Sequence, residues 1–598
     1  MFKLAVYLKP YRKEVILGPL FKLLEAILEL LLPTIVALIV NHGIGERDSG
    51  YVYRMGGLMV LMALLGFGAS MVCQYYAARA SQGFGTLLRN KLFRHISSLS
   101  YAEVDTFGTP SLINRLTNDV NQLQLAVAML IRLVIRAPFI CIGAIIMSLF
   151  LDWRLALILL AATPVFGVIL YLIIAKSAPL YRSYQQKLDR LGKVLSENLT
   201  GLRVIRAFAE SRREQRRFRE SSEDLTETAV RVGRISALLS PVTTLVVNAA
   251  IIAILWAGGG RIDHGDLSQG EIIAFINYVT QILLALVVVS NLVIIFTKAS
   301  SSAARVGELL ATEPSIQGSA ENDAFVTQNQ SRNQNQIRSS NEAIGVEKTD
   351  TPAIVFDDVS FAYSATGDPA LRHISVAIRR GETIGVIGST GSGKTTLANL
   401  IPRFYEVTEG RVQVDGTDVR DYTLEELRGR IGIVPQKALL FTGTIAENIA
   451  FGRPDATIEE IRAAAEAAQA AEFIAKLPEG LDTQVARGGQ NLSGGQKQRL
   501  TIARALALQP QILILDDSSS ALDFATDAAL RQALRAYSRD LTVLLISQRV
   551  SSVRQSDRII VMDDGRIDGI GSHEELLHSS AVYREICDSQ LSGEEVQA

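Results

Sequence analysis

Hydrophobic residues are concentrated in the first half of this 598-residue chain. Six apolar segments there are long enough for an α-helix to cross a lipid bilayer. From Ala353 onward, short β-branched segments alternate with helical ones, a pattern typical of an α/β domain. The predicted spans are Val15–Val40, Met55–Ala78, Ala126–Leu151, Trp153–Ile174, Ile235–Ala257 and Ile272–Phe296.

The distribution of positive charge predicts the orientation of these spans. The connection Lys176–Arg234 alone holds fourteen lysine and arginine residues, whereas the three short connections together hold four. Because positively charged connections stay in the cytoplasm, we expect both termini, both long connections and the α/β domain to be cytoplasmic. The chain is therefore predicted to be an integral membrane protein, with a short interfacial helix through Tyr11 before its first span.

Several predicted spans carry polar side chains at helical spacing. Such groups are costly inside a bilayer and usually face a water-filled cavity or another helix. One interpretation is a wet pathway, and the alternative is snorkelling charges and hydrogen bonds between helices; the sequence leaves both open. The residues are Lys22, Glu25, Glu29, Arg132, Arg136, Ser240, Thr244, Asn248, Asn277, Gln281 and Asn291.

Composition narrows the remaining function classes. The chain has 60 Lys and Arg against 61 Asp and Glu, so charge gives no indication of a nucleic-acid partner. Its three cysteines lie far apart and offer neither a disulfide framework nor metal-ligand spacing. The segment 314–352 is poor in large apolar residues and is predicted to be a flexible linker. The predicted domains are thus 1–313 in the membrane, the linker 314–352, and a soluble domain 353–598.

A phosphate-binding loop follows the predicted strand Ile384–Ile387 and precedes a helical segment, which is the context that this motif requires. Its glycines let backbone N–H groups approach phosphates, and the helix N-terminus adds positive potential. Lys394 is predicted to contact the β- and γ-phosphates of ATP or GTP, and Thr395 to ligand Mg²⁺. The loop comprises Gly388, Ser389, Thr390, Gly391, Ser392, Gly393, Lys394, Thr395 and Thr396.

Further motifs occur in a specific order. A second apolar strand ends in Asp516, which is predicted to ligand the same Mg²⁺. Gln436 follows a strand, Leu492–Arg499 (L-S-G-G-Q-K-Q-R) precedes a helix, and Ser520–Asp523 (S-A-L-D) follows Asp516. With the phosphate loop, this order resembles the ATP-binding cassette (ABC) ATPases. Six spans ahead of such a cassette resemble the half-transporters of the B-type multidrug exporter family, and the resemblance covers nearly the whole chain.

The resemblance implies a type IV exporter, in which an all-α domain of six transmembrane helices is fused to an α/β P-loop nucleotide-binding domain. ATP and Mg²⁺ would be its cofactors. Tyr363 would stack on adenine, Gln436 would contact Mg²⁺, and Asp523 would lie in a loop that crosses the interface of a dimer. Tyr101–Thr109 and Val204–Phe218 look like coupling helices that dock on the cassettes. The signature motif, which would contact ATP held by the second chain, is Ser493, Gly494, Gly495 and Gln496.

Two residues depart from the family pattern. Asp517 stands where the family has the glutamate that polarises the attacking water, and its carboxylate is withdrawn by about 1.5 Å because one methylene is missing. A misplacement of this size can lower a rate about a hundredfold. Gln548 stands where the family has a histidine that contacts the γ-phosphate, and the six histidines all lie elsewhere. Both departures fall on the site built on this chain's own phosphate loop, whereas the signature motif is intact.

These departures favour a heterodimer, as in asymmetric exporters of the bacterial multidrug type. The expected partner is a second half-transporter that has the glutamate and the histidine. The expected function is ATP-driven export of amphipathic compounds, either drugs or lipids, by alternating access across a bacterial inner membrane. The alternatives are an ATP-gated regulatory or channel-like protein and a homodimeric lipid exporter with slow hydrolysis. An importer is disfavoured because importers usually keep cassette and membrane domain on separate chains.

Overall fold

A computed structural model describes residues 2–263, 267–316, 351–364, 367–518, 520–538 and 540–594. The chain forms two compact units. The first consists of Met1–Ser97 with Thr109–Thr312, and the second consists of Ser98–Gly108 with Glu313–Ala598. Most of the predicted linker, 317–350, lies outside the described residues, so its flexibility stays a prediction.

In the described part of the chain, six helices are long and apolar enough to cross a membrane, which confirms the predicted number of spans. Each helix extends beyond its apolar segment, because the polar flanks also have a helical pattern. A 3-10 helix, Phe2–Tyr11, stands where the short interfacial helix is predicted, and it continues without a break into the α-helix that starts at Arg12, so that it forms the beginning of the first long helix. Two short helices are α3 (Tyr101–Phe107) and α6 (Leu202–Ala207). The long helices are α1 (Leu4–Ile44), α2 (Ser49–Ser98), α4 (Thr109–Leu151), α5 (Trp153–Thr200), α7 (Ser211–Ile262) and α8 (Gln269–Ala311).

Ion pairs hold most of the charged side chains in the first and third spans. Lys22 is buried, and its Nζ lies 2.6 Å from Glu25 and 3.5 Å from the hydroxyl of Ser70 on α2. Arg136 of α4 lies 2.6 Å from Glu29 of α1. For these four charged residues the contacts favour bonding within and between helices over a charged pathway.

Polar side chains on α7 and α8 have different surroundings. Ser240, Thr244 and Asn248 are exposed along one face of α7. On α8, Asn277 and Asn291 are exposed. An exposed polar face is unfavourable against lipid tails, so these faces are suited to water or to another chain.

The second unit is built on two main sheets. Its strands are β1 (Ile354–Phe361), β2 (Leu371–Ile378), β3 (Thr383–Gly388), β4 (Glu409–Val414), β5 (Thr417–Asp418), β6 (Ile431–Val434), β7 (Gly443–Thr444), β8 (Gln484–Val485), β9 (Ile512–Asp516), β10 (Thr542–Ile546), β11 (Arg558–Asp563) and β12 (Arg566–Gly571). One sheet has six strands in the order β12-β11-β3-β10-β9-β6, of which the five from β11 to β6 are parallel. The other is antiparallel, in the order β2-β1-β4-β5.

Helices pack around the six-stranded sheet and bury its central strands. Every residue of β9 and β10 is buried, as expected for parallel strands that are covered on both faces. The helices are α9 (Lys394–Leu400), α10 (Leu424–Gly429), α11 (Ile445–Ile449), α12 (Ile458–Ala467), α13 (Ala471–Ala475), α14 (Gly494–Ala507), α15 (Phe524–Tyr537), α16 (Val550–Val553), α17 (His573–Ser579) and α18 (Ala581–Glu594).

Candidate nucleotide site

The register of the parallel strands brings the motifs to one edge of the sheet. Ile546 of β10 pairs with Val386 of β3 and with Asp516 of β9, and Val434 of β6 pairs with Leu515. The segments that follow these strands therefore leave the sheet side by side at its carboxyl edge, where α/β proteins bind ligands. The sequence-predicted residues collected at this edge are Gly388, Lys394, Gln436, Asp516, Asp517 and Gln548.

The phosphate loop, Gly388–Thr396, wraps around the ammonium group of Lys394. Its Nζ donates hydrogen bonds to the carbonyl oxygens of Gly388 (2.9 Å) and Ser389 (2.6 Å) and to the hydroxyl of Ser392 (3.3 Å). The lysine is therefore held inside the concave loop, at the position from which it can exchange these oxygens for those of a phosphate.

Backbone conformation and charge both fit this loop to an anion. Gly393 has a φ of +95°, and a Cβ there would lie 2.8 Å from the carbonyl oxygen of Ala370, so the position requires glycine. Burial lowers the pKa of Lys394, and the carboxylates of Asp516 and Asp517 act in the opposite direction. The single positive charge of Lys394 and the two negative charges of Asp516 and Asp517 leave a net negative charge, which suits a phosphate ligand that brings its own divalent cation.

Thr395 and Asp516 form the pair that is best placed to hold that cation. The Thr395 hydroxyl donates a hydrogen bond to Asp516 Oδ1 across 3.1 Å, and Asp516 is only 6% exposed. Burial raises the pKa of Asp516. Together with the side-chain oxygen of Gln436, these groups are the oxygen ligands that Mg²⁺ takes beside substrate phosphates, so the residues fit the predicted ion.

Asp517 lies in a constrained turn next to this pair. Its φ is +46°, in the left-handed region, and its backbone N–H donates a hydrogen bond to the carbonyl oxygen of Ile546 across 2.9 Å. Its Oδ2 accepts a hydrogen bond from Nε2 of Gln436 at 3.2 Å. Gln548 follows two residues after Ile546, and its side chain is exposed. The two residues that depart from the family pattern thus flank the end of β10.

Tyr363 lies beside the last residue of the phosphate loop and is 55% exposed, as a stacking platform for a base requires. Its hydroxyl lies 2.9 Å from that of Thr396, and its ring packs edge-on against Tyr405 with centroids 5.2 Å apart. The Tyr405 hydroxyl donates to Asp105 of α3 across 2.9 Å. Tyr101 of α3 also packs on this cluster. Sequence analysis missed Tyr405 and Asp105, because they lie 300 positions apart and no motif connects them.

The two predicted coupling segments have different outcomes. The helix in the first ends at Phe107, because Gly108 takes a φ of +72°, and this helix belongs to the second compact unit. The prediction for Val204–Phe218 was wrong in its bounds, because Ala209 has a φ of +57° and separates α6 from α7. The exposed apolar side chains there are Leu202, Val204 and Phe208.

The signature motif is an exposed helix N-terminus with a capping box. The Ser493 hydroxyl accepts a hydrogen bond from the N–H of Gln496, and the Gln496 side chain accepts one from the N–H of Ser493 at 2.9 Å. A Cβ on Gly495 would lie 3.1 Å from the carbonyl oxygen of Ala521. Ser493 and Gly494 face solvent, so this end of α14 offers an anion site to a second molecule.

Asp523 caps the next helix, α15. It accepts hydrogen bonds from the N–H of Thr526 at 2.8 Å and from its hydroxyl at 3.0 Å, and these bonds lower the pKa of Asp523. Asp523 is exposed. It lies two residues after Ala521, against which the signature motif packs. Asp523 and the signature motif therefore form one surface.

This fold and this site define a membrane-anchored P-loop ATPase. Residues 15–286 match the family described as "ABC transporter transmembrane region", and residues 371–520 match the family described as "ABC transporter". A relative from Bacillus subtilis (strain 168), named "Uncharacterized ABC transporter ATP-binding protein YfiB", is 39% identical over 99% of both chains. An "ATP-dependent lipid A-core flippase" from Hahella chejuensis (strain KCTC 2396) is 32% identical over 99% of this chain and 97% of its own length.

A solved structure supports the same assignment. "Structure of a bacterial Atm1-family ABC exporter with ATP bound" superimposes with a TM-score of 0.76 and 26% identity, covering 97% of this chain and 98% of that one. The chain therefore belongs to the ABC transporter family and has the fold of a type IV exporter. It is an integral membrane protein and an ATP-hydrolysing translocase.

Proposed function

We propose that this chain is one half of a heterodimer that exports amphipathic or lipid-like compounds across a bacterial inner membrane by alternating access. Its own phosphate loop forms a slow ATP site. Its signature motif completes a competent site on a non-identical partner that carries the glutamate and the histidine. The observation that carries the proposal is that Asp517 and Gln548 follow the adjacent strands β9 and β10 on this chain's own phosphate site, whereas the signature motif is intact.

The chemistry of the two departures supports a slow site. The carboxylate of Asp517 is one methylene short and is hydrogen-bonded to Gln436. A glutamine at 548 can hydrogen-bond a phosphate, but it lacks the titratable proton of histidine. A site with both changes retains the groups for binding, namely Lys394, Thr395, Asp516 and Tyr363, and loses those for hydrolysis. Such a site holds ATP longer and acts as a clamp.

The membrane unit supports a translocation pathway between two chains. Its exposed polar faces on α7 and α8 would be unfavourable in lipid and are suited to a wet cavity that a second half-transporter closes. The lipid A-core flippase at 32% identity supports a lipid-like substrate. We assign the membrane domain to 1–313, the linker to 314–352 and the nucleotide-binding domain to 353–598.

The proposal is tested with the full-length chain in lipid nanodiscs. The chain alone is expected to hydrolyse ATP far below about 1 s⁻¹, the lower end of ordinary turnover. A half-transporter that copurifies with it and carries the glutamate and the histidine should restore substrate-stimulated ATPase and vectorial transport in vesicles. Replacing the partner's glutamate should abolish this activity, whereas Asp517→Asn should not. A high rate from the lone chain contradicts the heterodimer.

A homodimeric lipid exporter with slow hydrolysis is the second candidate, and the flippase relative favours it. It predicts that the lone chain moves lipid across vesicles at its own slow rate. An ATP-gated protein that does not pump predicts ATP-dependent conformational change with no accumulation of any compound. Transport in vesicles by the lone chain and by the copurified pair separates all three.

A further inference from the structure

We infer that the C-terminal helix α18 positions the loop of Gln548, and that Gln590 is the positioning residue. The side-chain amide of Gln590 makes two hydrogen bonds to this loop. Its Nε2 donates to the carbonyl oxygen of Gln548 at 2.7 Å, and its Oε1 accepts from the N–H of Val550 at 2.8 Å. The inference rests on the proposed role of Gln548 opposite the γ-phosphate.

The chemistry of this contact is specific to an amide. Val550 is the first residue of α16, where a helix leaves its N–H groups without partners inside the helix. The carbonyl of Gln548 needs a donor, and the N–H of Val550 needs an acceptor. A glutamine side chain supplies both from one planar group. The two bonds therefore fix the backbone on both sides of Arg549 and, with it, the direction in which Gln548 leaves the strand.

The helix that presents Gln590 is firmly anchored. Tyr583 and Cys587 of α18 are 0% and 1% exposed. The Tyr583 hydroxyl lies 2.8 Å from Nδ1 of His573 on α17. A side chain on such a packed element can hold its target within a narrow range of positions.

A second contact holds two backbone carbonyl groups of α16. Arg531 of α15 donates to the carbonyl oxygens of Ser551 (2.8 Å) and Ser552 (3.2 Å), and its guanidinium lies 3.1 Å from Asp527. The body of α16 is therefore tied to α15, whose first turn is capped by Asp523. Within the loop, the N–H of Arg549 donates to the hydroxyl of Ser547 at 3.0 Å. Gln590 adds the contact that acts on the backbone carbonyl of Gln548 itself.

The loop that Gln590 holds lies directly beside the phosphate loop. The N–H of Ser547 donates to the carbonyl oxygen of Val386 at 3.1 Å, two residues before Gly388. A displacement of the Gln548 backbone therefore changes its distance from a terminal phosphate, while Lys394 and Tyr363 keep theirs. Loss of the Gln590 bonds should therefore weaken the binding of ATP, which has a γ-phosphate, and should leave the binding of ADP unchanged.

The test measures the Kd of Mg-ATP and of Mg-ADP for the full chain in nanodiscs by calorimetry. Gln590→Met preserves the size of the side chain and removes both hydrogen bonds. We expect it to raise the Kd of ATP about three- to tenfold, the value of one or two net hydrogen bonds, with the Kd of ADP unchanged. In a Gln548→Ala background it should have no further effect, because the two residues act through one contact. The control is Glu585→Met, at an exposed position of the same helix.

Each other outcome overturns the inference. If Gln590→Met weakens the binding of ATP and the binding of ADP equally, Gln590 only stabilises the domain. Additive effects of Gln590→Met and Gln548→Ala mean that the two residues act separately. If Gln548→Ala itself leaves the ratio of the two Kd values unchanged, the role proposed for Gln548 is wrong and the inference fails with it. The ATPase rate of the lone chain still decides the heterodimer independently.

Discussion

The side-chain amide of Gln436 donates a hydrogen bond to the carboxylate of Asp517, with Nε2 and Oδ2 3.2 Å apart. The two residues follow β6 and β9, which are adjacent and parallel. The contact holds the short carboxylate beside its own strand and uses one of the two amide N–H groups of Gln436. A glutamate at 517 would place its carboxylate further out from the strand, where an attacking water can reach it.

We therefore expect Asp517→Glu combined with Gln548→His to raise ATP hydrolysis at this chain's own site at least tenfold, since general-base catalysis is worth about a hundredfold or more. Each single change should give less. The measurement is steady-state ATPase of the assembled dimer. Asp517→Asn with Gln548→His is the matched control and should give no increase. In the proposed heterodimer, no increase from the Glu–His pair would place the remaining defect in the partner's signature.

Tyr405 links the ring of Tyr363 to Asp105 of α3, so its hydroxyl is expected to serve coupling more than binding. Tyr405→Phe keeps the ring and removes the hydrogen bond. ATP affinity should stay within about twofold, whereas stimulation of ATPase by transported compound should fall several-fold, the effect of about one hydrogen bond. Tyr422→Phe is the control, because that hydroxyl donates to Val414 within the cassette. Equal loss in both variants would refute the link.

Lys22 is buried next to Glu25 within the membrane unit, so removing it leaves a carboxylate without its cation. Lys22→Met should destabilise the protein by about 3–5 kcal/mol. The double variant Lys22→Met, Glu25→Leu should recover most of this loss. Thermal unfolding in detergent micelles measures both. Lys298→Met, at an exposed position of α8, should have little effect, and a similar loss there would show that the buried pair is not the cause.

Glu382 gives the nucleotide-binding unit a pH dependence. Burial would raise the pKa of Glu382, but hydrogen bonds from Arg558 and from the backbone of Arg379 outweigh it, and the pKa is lowered. A carboxyl group with a lowered pKa stabilises the fold above its unfolded value of about 4.3, and this stabilisation is lost as the pH falls through the folded value.

Glu382→Gln should therefore lower the free energy of unfolding at pH 7 more than at pH 4. Amide hydrogen exchange reports the change in β3, which follows Glu382, and in β11, which begins at Arg558. The exposed Glu425→Gln is the control. Equal destabilisation by Glu382→Gln at both pH values would contradict the assigned sign.

The sequence predicted the spans and the phosphate loop because each depends on local properties, namely the length of an apolar run or the spacing of glycines. Asp516 and Asp517 could be placed for the same reason, since they end an apolar strand. The contacts of Gln590 with Gln548 and of Tyr405 with Asp105 could not be predicted. They join positions 42 and 300 residues apart, and their geometry follows from strand order and helix packing.

The bounds of the helices show the same limit. Ala209 leaves the helical conformation although its side chain favours helices, and this separates α6 from the start of α7. Each transmembrane helix also extends past its apolar run. Hydropathy marks where lipid ends, and it does not mark where a helix ends.

The assignment of Ser98–Gly108 to the same compact unit as the cassette has a consequence for synthesis of the protein. Asp105 leaves the ribosome 300 residues ahead of Tyr405, its hydrogen-bond partner. At about 5–20 residues per second, the short helix waits roughly 15 to 60 s at the membrane before the surface that receives it has been made. The compact unit that contains the cassette is thus completed by a segment made long before the rest of it, and until Tyr405 has been made the side chains of Tyr101 and Asp105 lack this partner.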